Sequence, residues 1–231
     1  VHVTDPSNAS RTLLCDIDTC SWDAELCELF DVPISALPEI RPTSGRLGLT
    51  GATTVLGAGI PISAVVGDQQ ASLFGHGCFS PGMVKNTYGT GGFVLMNAGD
   101  QRPPVIDGLL TTIAWSLEGA SKPTYAYEGS IYSIGATVQW LRDGLGLIRD
   151  ATELGPLAES VPSAGDVHLV PAFAGLGSPW WDPLARGAII GITRGTGRGE
   201  LARAAVESMA FQVRGVVDAM KAGSGIEIAE L

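Results

Sequence analysis

The tightest constraint on the fold lies in residues 67–93, where an acid, two glutamines and a glycine-rich turn are set between apolar runs. Gly67-Asp68-Gln69-Gln70-Ala71 follows directly on the apolar Ile62-Ser63-Ala64-Val65-Val66. An acidic residue at the carboxyl end of a buried strand stands where open α/β sheets place their ligands, so Asp68 is the first candidate for chemistry. Tyr88-Gly89-Thr90-Gly91-Gly92 then lies between Val84 and the apolar Phe93-Val94-Leu95-Met96. That arrangement predicts a tight strand-to-strand turn whose glycines let backbone N–H groups close on an anion. The two pieces read as a base and a phosphate cradle.

Composition narrows the setting. The 231 residues are 45% apolar, enough for one large domain or two modest ones. Lys and Arg number 14 against 24 Asp and Glu, a formal charge of −10, which argues against a nucleic-acid backbone or an anionic membrane as the main partner. No apolar run approaches the roughly 20 residues of a membrane helix, and the first residues carry no targeting signal, so the expected compartment is the cytoplasm. Cys15, Cys20, Cys27 and Cys78 have neither CxxC spacing nor adjacent His, which favours buried reduced thiols over a zinc site.

Along the chain, residues 13–17 read as a short strand and residues 21–30 as a helix capped by Ser21 and ended by Pro33. Residues 33–61, rich in Pro, Gly, Ser and Thr, predict irregular connections with a hairpin over 45–58. A short helix is expected over 71–77, its start beside Asp68, where the positive end of the helix dipole favours a carboxylate. A hairpin follows over 84–98, then strands over 109–115 and 125–128, and a helix beginning in the run 130–143. Residues 167–171 read as a buried strand feeding a loop rich in Gly, Pro and Trp, residues 188–192 as a strand, and 198–222 as the longest helix. The alternation of residues 228–231 reads as the start of a further strand.

With those runs in view, the chain resembles the FGGY carbohydrate kinases, and among them the members that act on glycerol. The residues that carry the resemblance are Gly67-Asp68-Gln69-Gln70-Ala71, Lys85-Asn86-Thr87-Tyr88-Gly89-Thr90-Gly91 and the segment 135–143. Val170-Pro171-Ala172-Phe173, Trp181-Asp182-Pro183, Arg186-Gly187-Ala188 and the early Asn8-Ala9-Ser10-Arg11-Thr12 belong to it as well. The resemblance implies an α/β chain of the actin-like, ribonuclease H-like ATPase fold, with a partial first domain over 1–74 and most of a second over 75–231. It implies ATP-dependent phosphorylation of glycerol, with Mg²⁺ to neutralise the phosphates. Carried over by position, Asp68 is the base that takes the proton of the attacking hydroxyl, Gln69 a substrate contact and Phe93 an apolar wall. Thr90 and Gly91 face the nucleotide phosphates, and Gly135 and Gln139 line the nucleotide. The metal ligands stay open: Glu128 and Asp182 could reach Mg²⁺ through water or be surface charges.

The departures matter too. The family's first phosphate loop, its Arg-Glu pair for glycerol and its adenosine-holding Gly-Gly turn have no counterpart in this sequence, so a piece of a longer enzyme, inactive alone, is expected. Residues 51–59 hold no Lys or Arg where bisphosphate-regulated relatives carry them, so that feedback is expected to be absent. Rivals of the same fold are sugar kinases of the xylulokinase or gluconokinase type; the rival of another class is a non-catalytic actin-like nucleotide-binding module. A homo-oligomer is left open. The turn is no Walker loop, which needs Gly-Lys-Ser/Thr, and no dinucleotide fingerprint is present. Trp180 and Trp181, between Pro179 and Pro183, read as packing residues in preference to a sugar-stacking platform, and His76 as structural.

Overall fold

The computed structural model describes residues 1–231. Its first third is a series of short elements: β1 (Val3–Thr4), α1 (Pro6–Ala9), the hairpin of β2 (Cys15–Asp16) and β3 (Ser21–Trp22), α2 (Ala24–Leu29), and β4 (Glu39–Ile40), which runs parallel to β1. Ser21 and Trp22 pair with Asp16 and Cys15 in the hairpin, so the cap of α2 falls to Asp23, not Ser21; its Oδ1 accepts from the Leu26 N–H at 2.9 Å. A ribbon of β5 (Ser44–Leu49) and β6 (Pro61–Ala64) follows, wider than the expected 45–58 hairpin. Every residue of β6 is exposed. The strand before Asp68 is therefore not the buried one its apolar residues suggest: it pairs with β5 alone, and nothing in the chain covers its outer face.

The centre is an antiparallel sheet flanked by α3 (Asp68–Gly75) and built from β7 (Val84–Tyr88), β8 (Gly92–Gly99), β9 (Leu110–Trp115) and β10 (Thr124–Ile131) in the order β7-β8-β10-β9. After it come α4 (Gly135–Gln139), continued by a π turn over Trp140–Gly144, then α5 (Leu154–Glu159), the antiparallel pair β11 (His168–Val170) and β12 (Ala188–Ile190), and α6 (Arg198–Ser224). Two further expected helix starts move. α3 begins at Asp68, three residues before the expected 71, because Gly67 is extended and Asp68 already forms the first turn. The helix expected within 130–143 starts at Gly135, because Ser130 and Ile131 still pair with Phe93 and Gly92 in β10. β11 alternates, with Leu169 buried between exposed His168 and Val170, where a fully buried strand was expected. At the chain's end the Ala229 N–H donates to Gly82 and Val84 donates to Glu230, a parallel bridge beside β7.

Both faces of the central sheet are covered, which is why Phe93 to Met96 reads as one apolar run. Val84, Val94, Met96, Tyr127 and Ile131 face α6, packing on Val213, Val216 and Met220. Leu95, Ala114 and Ala126 face α3 with Leu73, and Phe93 packs there too. Burial of a side chain such as Val216 or Met220 contributes about 1.5–3 kcal/mol. Gly129 makes room for α6: a Cβ there would lie 2.3 Å from Val216. α6 starts with Glu200 accepting from the Gly197 N–H at 2.9 Å and ends at Gly225, whose φ of 67° is the left-handed stop. No helix is long and apolar enough to cross a membrane.

Candidate active site

Side chains alternate across a strand, so the register of the sheet decides which polar groups meet beneath α3. Lys85, Leu95 and Glu128 form one cross-strand row, and Thr87, Phe93 and Ser130 the next, on the face that carries α3. At that end of the sheet opens a cleft of about 340 Å³, lined by Asp68, Gln69, Phe93, Glu128, Arg11 and Asn8 among others. The three predicted substrate-site residues, Asp68, Gln69 and Phe93, are thus brought together.

Asp68 is exposed at the first turn of α3. Its Oδ1 accepts from the backbone N–H of Gln69 at 2.8 Å and its Oδ2 from Gln69 Nε2 at 3.2 Å. Both oxygens keep lone pairs for a ligand. The turn that presents it is tied down from below. Ser7 Oγ accepts from the Gly67 N–H at 2.8 Å, while the fully buried Asp5 accepts from Ser7 N, Asn8 N, Asn8 Nδ2 and Thr43 Oγ1 at 2.7–3.1 Å. Buried Gln70 donates to Thr112 Oγ1 at 3.2 Å, and Thr112 meets Ser10 Oγ at 2.9 Å. These linked polar side chains fix α1, α3 and β9 against one another.

Two buried charges flank the cleft. Glu128, 2% exposed, accepts from Arg11 Nη2 at 2.9 Å and from Ser130 Oγ at 3.3 Å through Oε1. Lys85, 3% exposed, donates to Gln69 Oε1, to Thr87 Oγ1 at 2.9 Å and to the Phe93 carbonyl at 3.4 Å. Burial pulls its ammonium down from 10.5 to about 8, against the opposing pull of Glu128 and Asp68.

The predicted nucleotide residues form a second cluster at the same end of the sheet. The turn from Tyr88 to Gly92 packs on the start of α4: Ile134 and Ala136 donate to the Thr90 carbonyl, each at 3.0 Å, and Gly135 donates to Gly89 at 2.9 Å. The contact depends on two glycines, since a Cβ on Gly135 would stand 2.6 Å from the Gly89 carbonyl and one on Gly91 2.4 Å from that of Ile131. The amides of Thr90 and Gly91 donate to no group of the chain and remain available to an acceptor. Thr90 and Gln139 are exposed.

Asp182 does not join the cleft; its Oδ1 accepts from Leu184 N and Ala185 N at 2.8 and 3.0 Å, closing its own turn. Of the two tryptophans, Trp181 donates through Nε1 to the Gly108 carbonyl at 2.8 Å and Trp180 lies against Gly215, while both rings stay exposed on one side. His76 is exposed, with Nδ1 2.8 Å from the Ser72 carbonyl. All four cysteines are free thiols, and burial pushes that of Cys15 up to about 12, with Cys20 and Asp16 adding to the shift. Arg11, which lines the cleft, and Lys85, buried beside it, lie in motif runs, but the sequence assigns them no role in the site. Strand alternation held the signal, since Lys85 sits one place from core-facing Val84 and two from Thr87. No group of three His, Cys, Asp or Glu side chains is placed to hold a metal; the carboxylates of the cleft are Asp68 and Glu128.

Residues 84–231 match the model of the FGGY family of carbohydrate kinases, C-terminal domain, and residues 1–75 that of its N-terminal domain. Over all of this chain, a glycerol kinase of Francisella philomiragia and one of Carboxydothermus hydrogenoformans are each 55% identical. The chain spans about half the length of these curated relatives, 46% of each. A crystal structure of Plasmodium falciparum glycerol kinase with ADP superposes with a TM-score of 0.89 at 41% identity, covering 98% of this chain and 45% of that one.

Proposed function

The chain belongs to the FGGY family of carbohydrate kinases, and on that footing we propose that its parent protein transfers the terminal phosphoryl group of ATP to a terminal hydroxyl of glycerol, giving sn-glycerol 3-phosphate. The observation that carries the proposal is the Asp68 carboxylate, exposed at the start of α3 with a donor on each oxygen and Phe93 beside it in one cleft. The relatives named glycerol kinase, similar along the whole chain, support the choice of substrate.

In this reading the hydroxyl oxygen attacks the γ-phosphorus, its proton passes to Asp68, and the bond from phosphorus to the ADP oxygen breaks. Phosphoryl transfer asks a protein chiefly for positioning and charge stabilisation. Gln69 holds a substrate hydroxyl and Phe93 covers the carbon face. The free amides of Thr90 and Gly91 receive phosphate oxygens, while Gly135 and Gln139 line the nucleotide. Mg²⁺ would neutralise phosphate charge, and Asp68 and Glu128 are the carboxylates within reach of the cleft; one or two carboxylates plus phosphates suit this ion. Glu128 Oε2, which has no hydrogen-bond partner in the chain, fits that role. Residues 1–74 and 75–231 act as parts of the substrate and nucleotide domains of a cytoplasmic enzyme, and this chain by itself does not turn over.

The test is a coupled ADP-release assay on the native full-length protein. ADP release that depends on glycerol and collapses in Asp68→Asn is the expected result. Equal release without glycerol, or with a pentulose in its place, would overturn the reading.

A further inference from the structure

Lys85 is an oddity that the proposed reaction does not use. An ammonium 3% exposed in the core of a sheet face carries a large desolvation cost, and charges so buried are usually held by a contacting carboxylate. Lys85 has none; its three donors go to neutral oxygens, those of Gln69, Thr87 and Phe93. Thr87 and Phe93 are a facing pair of β7 and β8, so they fix the ammonium to the sheet. The third donor reaches up to α3.

That third contact decides the orientation of an amide. An ammonium has three donors and no acceptor, so the Gln69 atom facing it must be the carbonyl oxygen. The amide nitrogen is left on the other side, and there it donates to Asp68 Oδ2 at 3.2 Å. The two ends of the Gln69 side chain thus join a buried cation to the carboxylate in the cleft. With the amide reversed, Gln69 would set its oxygen against a carboxylate and its NH₂ against an ammonium, two repulsive contacts in place of two attractive ones.

We propose that Lys85 is a positioning residue which acts through Gln69, locking its amide so that NH₂ faces Asp68 and the substrate, and thereby aligning the carboxylate. Gln69 is then a donor in the site, and it binds a substrate oxygen through a lone pair. The inference rests on the reading of Asp68 as the base. The charged or titratable groups facing Lys85 are Glu128 from β10, Asp68 from α3 and the Cys78 thiol between α3 and β7; Arg11 is held to Glu128. Of these, Asp68 is the one that Gln69 joins to it.

A double-mutant cycle in the native full-length protein tests the relay, with kcat/KM for glycerol and KM for ATP as readouts. Lys85→Met alone should lower kcat/KM for glycerol about 100-fold while KM for ATP stays within about twofold, since orientation within one half of the site is lost. In a Gln69→Ala background the same substitution should cost less than about threefold, because the element Lys85 acts through is gone. Full additivity of the two losses would overturn the relay, as would a Lys85→Met enzyme with unchanged kcat/KM. If Lys85→Met does not fold, Lys85→Gln provides the neutral side chain for the same cycle. A wild-type protein with no glycerol-dependent turnover would instead sink the kinase reading itself, so the two failures are distinguishable.

Discussion

The cleft at Asp68 and the turn at Thr90 share one end of the sheet and are made of opposite materials. The cleft is side-chain chemistry, with carboxylate, amide, guanidinium and ammonium groups delivered by α3, β7, β10 and the turn after α1 and held by a buried polar network. The turn is backbone, two unpaired amides held in place because glycines let Gly89 and Ile131 carbonyls come close. The difference teaches how each can fail. Exchanging one functional group for another should disable the first and leave the second intact. Only added bulk should disable the second.

The largest effect should come from Asp68→Asn, which preserves shape and removes the proton acceptor. Loss of a general base costs about 10²–10⁴-fold, so kcat in the full-length protein should fall by about 10³ with KM for ATP nearly unchanged. A drop of less than tenfold would mean that the carboxylate is not the base and that the contrast between the two regions is wrongly drawn.

Gly135→Ala makes the complementary cut. Its Cβ would meet the Gly89 carbonyl at 2.6 Å, and backbone cannot step aside as a flexible side chain does. The turn should be pushed off α4, raising KM for ATP about tenfold and lowering stability by about 2 kcal/mol, with glycerol affinity held within about twofold. Gly51→Ala, whose Cβ would meet nothing within 4 Å, is the matched control and should be neutral. Equal damage to glycerol and ATP affinity would show that the two regions are one mechanical unit.

The same contrast governs how much could be read without coordinates. The hairpin over 84–98 and the long helix from Arg198 are strongly patterned and fall where periodicity puts them. The actin-like α/β class rests on resemblance and is shown by likeness to FGGY kinase structures. Turn glycines are legible because backbone conformation restricts residue type, and both Gly91 and Gly135 do meet a carbonyl. The polar cleft is less legible. Arg11 and Glu128 lie 117 positions apart, and only strand register brings them together. The strand β6 misled for a related reason: its composition is apolar, but burial depends on a covering layer that composition does not report. Ser21 failed as a cap because hairpin pairing claimed it first, a tertiary choice overriding a local preference.

The effect most narrowly confined in conditions, and the one that sharpens the comparison most, is a pH dependence of stability at Lys85. Its ammonium titrates at about 8 in the fold and at 10.5 when exposed, so both states hold the proton below the lower value and neither above the higher. Between them the unfolded chain binds a proton that the fold has released, and stability from this group therefore rises with pH across that window. The urea midpoint of the wild type should climb relative to that of Lys85→Met from the lower end to the upper. Cys78, raised by burial, is the neighbouring thiol that titrates on the alkaline side, so both proteins should carry Cys78→Ala. A difference that stays constant across the window would mean that the ammonium is as well solvated in the fold as outside it. Lys85 would then belong, like the Thr90 turn, to the open part of the site, and the division between a buried side-chain network beneath the cleft and an exposed backbone turn would not hold at the residue placed between them.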